Sequence, residues 1–309
     1  MNYATLTQVR QYLGAAASDV ADDTKLAFFL KEASNFIRTY YRRCDPFKDT
    51  RNIDYPAKPV QLFGHYSLQQ WVDEINLVGE LGAGKLELPD DLLELVSITN
   101  GDGTAIALSD VITLPEGSFY PKHTIQLQPS SGKVWLPASS GNVKQVIPVV
   151  GIWGWHDRYD ETAWIDTLDT VEDNPLSNSA TTITVNDADG LDENLETPRF
   201  QAGHLLKVES EFMLVTSVNT TNNTLTVKRA VQGTTAVAHA QNTLISTFVP
   251  GGSIRLATIR LAVWRYRQKD ANVFDKTTIL ATGVQITPSS IPPDVVDLLP
   301  KPRVPTFSQ

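Results

Sequence analysis

Gly79, Gly84 and Lys85 stand at the G-x-x-x-x-G-K spacing with which backbone N–H groups and a lysine hold nucleotide phosphates. That chemistry needs Ser or Thr as the next residue, to hold magnesium, and an unbroken helix behind it. Here the next residue is Leu86, and Pro89, Asp90 and Asp91 follow almost at once, so the run reads as a glycine turn between strands. A second concentration of chemistry runs from Gly151 to Glu161, where Trp153, Trp155, His156, Asp157 and Arg158 crowd together. An acid–base pair would use His156 with Asp157, but adjacent residues on an extended chain face opposite ways. The segment reads as a strand that leaves the core, with its Trp rings packed and its charged end solvated. His204 and His239 lack a third ligand at metal spacing. Cys44, the only cysteine, can form neither an internal disulfide nor a thiolate site. No catalytic, cofactor or metal residue is expected.

The cations of the last helical segment are the remaining candidates. Arg255, Arg260, Arg265, Arg267 and Lys269 could touch phosphates, yet at about 100° per residue only Arg260 and Arg267 share a face. That is a solvated or inter-subunit pattern, not a stripe that reads DNA. The apolar residues of the same segment are more telling. Ile254, Ala257, Leu261 and Trp264 mark one face, and Leu256, Ile259, Val263 and Tyr266 cover much of the rest. A helix apolar on more than one side must be buried on more than one side. A small helical unit offers too little surface for that, so a neighbouring subunit is the expected cover. Leu256, Arg260, Val263, Trp264 and Arg267 are the expected assembly residues.

The elements around these residues divide the chain. Thr5 and Gln8 have capping-box spacing before the stripe Leu6, Val9 and Leu13, and Gly14 marks the stop. A second helix is expected from Asp22 and Asp23 to about Arg43, through Leu26, Phe29, Leu30, Ala33, Ile37, Tyr40 and Tyr41. Pro46, Pro56 and Pro59 then break the pattern. Short apolar runs follow at Val60–Phe63, Glu74–Val78, Leu93–Thr99, Ala105–Leu108, Thr124–Leu127, Lys133–Leu136 and Val146–Trp153, with a tight turn at Asn100–Gly103. Residues 160–178 read as an acidic, turn-rich link. Further strands are expected at Thr181–Val185, Leu205–Val208, Phe212–Ser217, Thr224–Lys228 and Leu244–Phe248, and helix returns after Ser253. The end of the chain is rich in Pro and reads as an extended arm.

Of 309 residues, 41% are hydrophobic and 20% charged, a composition able to build a folded core. The net charge of −9 is unevenly spread. Segment 1–43 carries six basic and four acidic residues and 251–276 six and two, against 12 and 27 in 44–250. The mildly basic ends belong together, and the middle is a separate acidic body. The longest apolar stretch, Val146–Trp155, is too short to span a bilayer and is broken by Pro148, Gly151 and Gly154. The opening MNYATLTQVR lacks a basic cluster followed by an apolar run, so no leader is expected, and the lone cysteine suits a reducing compartment.

The opening LTQVRQYLG and DDTKLAFFLKEASNFIRTYYRR resemble the paired helices that begin head–tail connector (adaptor) proteins of tailed bacteriophages. The closing IRLATIRLAVWRYRQKDA resembles the helix that completes that family's bundle, and VIPVVGIWGWHDRY (146–159) is similar to β regions of long phage connectors. The run SEFMLVTSVNTTNNTLTVKRAVQGTTAVAHA (210–240) is similar to a small β module of phage virion proteins, its most specific piece being Gly233–Ala240. The segments 44–89 and the tail have no such likeness.

The expected fold is α+β: a discontinuous helical bundle from the N- and C-terminal segments with large antiparallel β insertions. Its expected parts are a helical connector domain (1–43 with 251–275), a β domain (44–160), an inserted small β domain (161–250) and a Pro-rich extended C-terminal arm (276–309). The resemblance implies a structural virion protein without cofactor, made in the host cytoplasm and free of membrane. It implies a homo-oligomeric ring, usually a dodecamer, between the portal protein and the next neck or tail protein. Viral DNA would pass through the lumen without sequence-specific binding, and an acidic body would not cling to it. Two alternatives are a tail or baseplate structural protein whose β domains bind host glycan, and an enzyme with its cleft around Trp153 and Trp155.

Overall fold

The computed structural model describes residues 1–16, 19–41, 44–53, 85–268, 277–279, 284–286 and 291–300. It is a mixed α and β protein with five helices and two antiparallel six-stranded sheets among these residues. None of the helices is long and apolar enough to cross a membrane. The chain falls into two compact units, Met1–Cys44 with Thr162–Gln309, and Asp45–Glu161. The second unit nearly coincides with the 44–160 β domain, whereas the 161–250 block shares its unit with the helices.

In the Asp45–Glu161 unit the strands are β1 (Phe47–Ile53), β2 (Lys85–Thr99), β3 (Ala105–Ile106), β4 (Val111–Leu114), β5 (Lys122–Leu127) and β6 (Ile147–Trp153). They lie in the order β1-β6-β2-β5-β4, with β3 on β2. Besides β3, the 15-residue β2 serves β5 from Lys85 to Leu92 and β6 from Leu92 to Ile98, with register shifts between. Pro89 falls inside a shift, where its missing N–H breaks no ladder bond. Pro89, Asp90 and Asp91 thus lie within strand, and the expected Leu93–Thr99 strand begins eight residues earlier, at Lys85. Leu86, Leu92, Ile98, Ile125, Val149 and Trp153 form the centre of this core.

Two strands here were not anticipated and one expected strand is absent. Phe47–Ile53 and Val111–Leu114 are strands although neither showed a usable pattern; each lies at an edge, and β1 buries only Ile53. Lys133–Leu136 is not a strand. The buried Asn100 side chain donates to Val134 O (2.9 Å) and accepts from Leu136 N–H (2.8 Å), holding that run as a loop. A Cβ on Gly101 would lie 2.3 Å from Leu136 O, so only glycine fits beneath it. Val60–Phe63, Glu74–Val78 and Gly79–Gly84 lie outside the described residues.

The other unit begins with α1 (Leu6–Leu13). Thr5 Oγ1 accepts from Gln8 N–H and Gln8 Oε1 accepts from Thr5 N–H, both at 3.1 Å, and Gly14 closes the helix at φ 72°. In α2 (Asp23–Tyr41), Leu26, Leu30, Ala33, Ser34 and Ile37 are buried, and Arg10 Nε donates to Asp23 Oδ1 at 2.6 Å. The closing helix, Gly252–Gln268, packs against both. Phe29 meets Tyr266 edge-on at 6.4 Å, and the Tyr266 hydroxyl donates to Asp22.

Between these helices runs the second sheet: β7 (Trp164–Thr170), β8 (Thr182–Thr184), β9 (Leu205–Val208), β10 (Glu211–Asn219), β11 (Thr224–Lys228) and β12 (Leu244–Phe248). The order is β7-β12-β9-β10-β11-β8, and Glu172 N–H, just past β7, donates to Thr184 O of β8. First and last strands thus meet, and the sheet curls into a small barrel around Ile183, Leu206, Val208, Met213, Leu225 and Ile245. All five strands expected here are present. The acidic stretch 160–178, expected as a link, instead supplies β7. The barrel is tied to the helical segment through Asn2 N–H to Gly203 O (3.0 Å) and Gln8 Nε2 to both Glu196 oxygens (2.8 and 2.9 Å).

The tail is more than an extended arm. Thr277–Ile279 pairs with Val284–Ile286 as β13 and β14, and Pro293–Leu298 forms a short helix with Val295 and Leu299 buried. Pro292 and Pro293 permit it because the first N–H groups of a helix need no internal partner.

Candidate functional site at the closing helix

The closing helix is covered within its own chain on more sides than its pattern suggested. Ile254, Ala257, Thr258, Ile259, Leu261, Ala262 and Val263 are all buried. The expectation that a small helical unit could not cover them is corrected: α1, α2 and the short tail helix all pack on it. The expected assembly residues share one side of the helix. Leu256, Arg260, Val263, Trp264 and Arg267 fall within an arc of about 100°.

Four of these five residues line a groove of about 340 Å³, together with Tyr12, Gln268, Pro292 and Asp294. Leu256 lies a turn before it and is 37% exposed. Val263 is a buried floor, Trp264 and Tyr12 add ring surface, and Pro292 brings the tail to the rim. Arg260 is held in place: its Nη1 lies 2.8 Å from Asp294 Oδ2, and its Nε donates to the Tyr12 hydroxyl at 3.3 Å. The Tyr12 hydrogen bond, aided by the nearby Asp294, raises its pKa above the ordinary arginine value. Arg267 is exposed and has no ion pair among the described residues. The groove therefore combines an apolar floor with an exposed cation at its edge. It suits an apolar group flanked by carboxylate.

Tyr12, Pro292 and Asp294 were missed from the sequence. Tyr12 sits on the polar side of α1, where a large exposed aromatic is a weak signal, and Asp294 is separated from Arg260 by 34 positions.

The other candidates are occupied by structure. Lys85 opens β2 opposite Gln126, where the phosphate motif requires helix. Trp153 is fully buried and its Nε1 donates to Asp49 O at 3.0 Å. The His156 ring is buried, and its Nδ1 accepts from Arg158 N–H at 2.9 Å. Desolvation pushes His204 down to about 4, against a backbone hydrogen bond at Arg199 that favours the charged form. His239 is set between Glu209 (2.8 Å) and Glu211 (3.0 Å). Arg229 grips Glu211 with Nε and Nη2 at 2.6 and 2.7 Å, and its Nη2 also donates to Val237 O. This network holds Gly233–Ala240 onto the barrel. No group of three or more His, Cys, Asp or Glu among the described residues could hold a metal ion.

No protein-family model matches the chain, and comparison with curated proteins finds no match.

Proposed function

We propose that the protein is a structural component of a tailed-bacteriophage virion that joins the portal vertex of the capsid to the tail as a head–tail connector. In this reading the helices at the two ends of the sequence are one discontinuous bundle, and copies assemble into a dodecameric ring with DNA passing through it. The observation that carries the reading is the groove on the closing helix, where Trp264 and the exposed Arg267 lie over a buried Val263 floor, with Leu256 exposed a turn earlier. An apolar groove with a basic rim on the surface of a helix is a docking surface in form. The likeness of both terminal segments to connector helices adds the location. We read the chain as non-catalytic, since Lys85, His156 and His239 are each committed to strand, loop or network.

The test uses Trp264→Asp and Leu256→Asp, scored by incorporation into capsids and by the fraction of particles with tails. Both variants are expected to fold, as judged by circular dichroism, and to leave particles untailed. Normal tailing by folded variants removes the closing helix as an assembly surface and the connector reading with it.

A further inference from the structure

The barrel holds two leucines out into solvent in a backbone conformation that L residues avoid. Leu195 is 75% exposed at φ 61°, and Leu168 is 60% exposed at φ 57°. Neither lies on a slack loop. Asp192, itself buried, closes the Leu195 turn: its carbonyl accepts from Leu195 N–H, and its carboxylate from Glu196 N–H, both at 2.9 Å. Leu168 N–H donates to Asp166 Oδ1 at 2.7 Å, and Leu168 O accepts from Arg199 at 3.0 Å. The two segments are joined, because Glu193 N–H donates to Asp166 O at 3.0 Å and Glu193 Oε2 accepts from Asp166 N–H at 3.1 Å. The result is a rigid knob of exposed leucine flanked by the carboxylates of Asp166 and Glu193. Folding one chain gives no reason to display it.

We infer that this knob docks into the closing-helix groove of a second copy of the same chain. The inference rests on the assembly role proposed for that helix and names its occupant. The two surfaces are complementary: the knob offers apolar bulk with negative flanks, and the groove offers Val263 and Trp264 with the exposed Arg267 at its rim. Both belong to the same compact unit, so every copy carries one of each. A contact between two different patches is head-to-tail, and it either closes into a ring or propagates. Preformed geometry on the knob side lowers the ordering cost of docking.

Sedimentation velocity over a concentration series tests this with wild type, Leu195→Asp and Arg267→Glu, both substitutions being at exposed positions. Wild type is expected to form oligomers that grow with concentration, and each variant alone is expected to remain monomeric. Mixed together, the variants should form a 1:1 dimer and nothing larger, because Leu195→Asp keeps a working groove and Arg267→Glu a working knob. Monomeric wild type throughout the series, oligomers from either variant alone, or failure of the mixture to pair would each overturn the inference. The two readings separate in particles: if Leu195→Asp tails them normally while Trp264→Asp does not, the connector reading survives and the knob is excluded.

Discussion

Glu211 shows how one residue can hold a loop of the barrel. Burial by itself would raise its pKa, but hydrogen bonds from Arg229, His239 and the N–H groups of Val237 and Ala230 outweigh that and lower it from 4.5 to about 2. A carboxylate lowered on folding contributes stability above its unfolded value, and that contribution is lost as pH falls through the folded value. The barrel should therefore weaken between about pH 4.5 and 2, by on the order of 3 kcal/mol from this group. Glu211→Gln leaves the buried Arg229 without its charged partner, and a loss of about 3–5 kcal/mol at neutral pH is expected. Thermal unfolding followed at pH 7 and at pH 3 checks both statements: the variant should be less stable than wild type at pH 7, and the gap should narrow at pH 3. A gap that is unchanged by acid removes Glu211 as the source of the pH dependence.

Among the elements, β6 is the most constrained. It lies between β1 and β2, and at Gly151 the neighbouring strand comes so close that a Cβ would lie 2.5 Å from Leu92 Cδ1 and 2.7 Å from Glu94 O. A side-chain tip can turn away, but a carbonyl in a ladder cannot. Gly151→Ala should cost about 3 kcal/mol through overpacking and backbone shift, read as a lowered melting temperature. Unchanged stability would mean that β2 can yield at its register shifts. The closing helix illustrates the opposite situation, an element whose pattern overstated its exposed apolar surface. Ile259 and Val263 looked like a second face needing a foreign partner, yet the same chain covers them.

For the molecule as a whole, the division into two units has a thermodynamic consequence. Each has its own buried core, one centred on Leu92, Ile125 and Trp153 and the other on Leu206, Met213 and Ile245. Calorimetry should resolve two unfolding transitions, since cooperativity is a property of each core. Gly151→Ala should lower one transition and Glu211→Gln the other, and the double variant should show both shifts added, as expected for sites that share no partners and lie in separate cores. A single transition moved by both substitutions would show that the cores unfold together.

What the sequence determined by itself was local. The Thr5–Gln8 capping box, the Gly14 stop, the long α2 stripe and the five barrel strands from Thr182 to Phe248 all rest on neighbours within a few residues or on strict alternation. Where strand burial departs from hydrophobicity, the pattern was silent. In β7 the inward positions are Ile165, Thr167 and Asp169, and the last two are satisfied by distant groups: Thr167 donates to Ile245 O, and Asp169 accepts from the N–H groups of Asn186 and Asp187. Nothing near Asp169 in sequence announces those donors, so the stretch read as a link. β1 and β4 are edge strands with little to bury, and hence with little pattern to read. At the groove, the stripe from Leu256 to Arg267 was legible because helical spacing is local. Tyr12 and Asp294 entered it only when folding brought three segments of the chain together, and the segments of Leu168 and Leu195 were joined only when one backbone and one side-chain hydrogen bond linked Glu193 to Asp166. Alternation and capping are written in adjacent residues; the partners of a buried polar group and the walls of a groove are chosen by chain segments far apart, and only their tertiary meeting decides them.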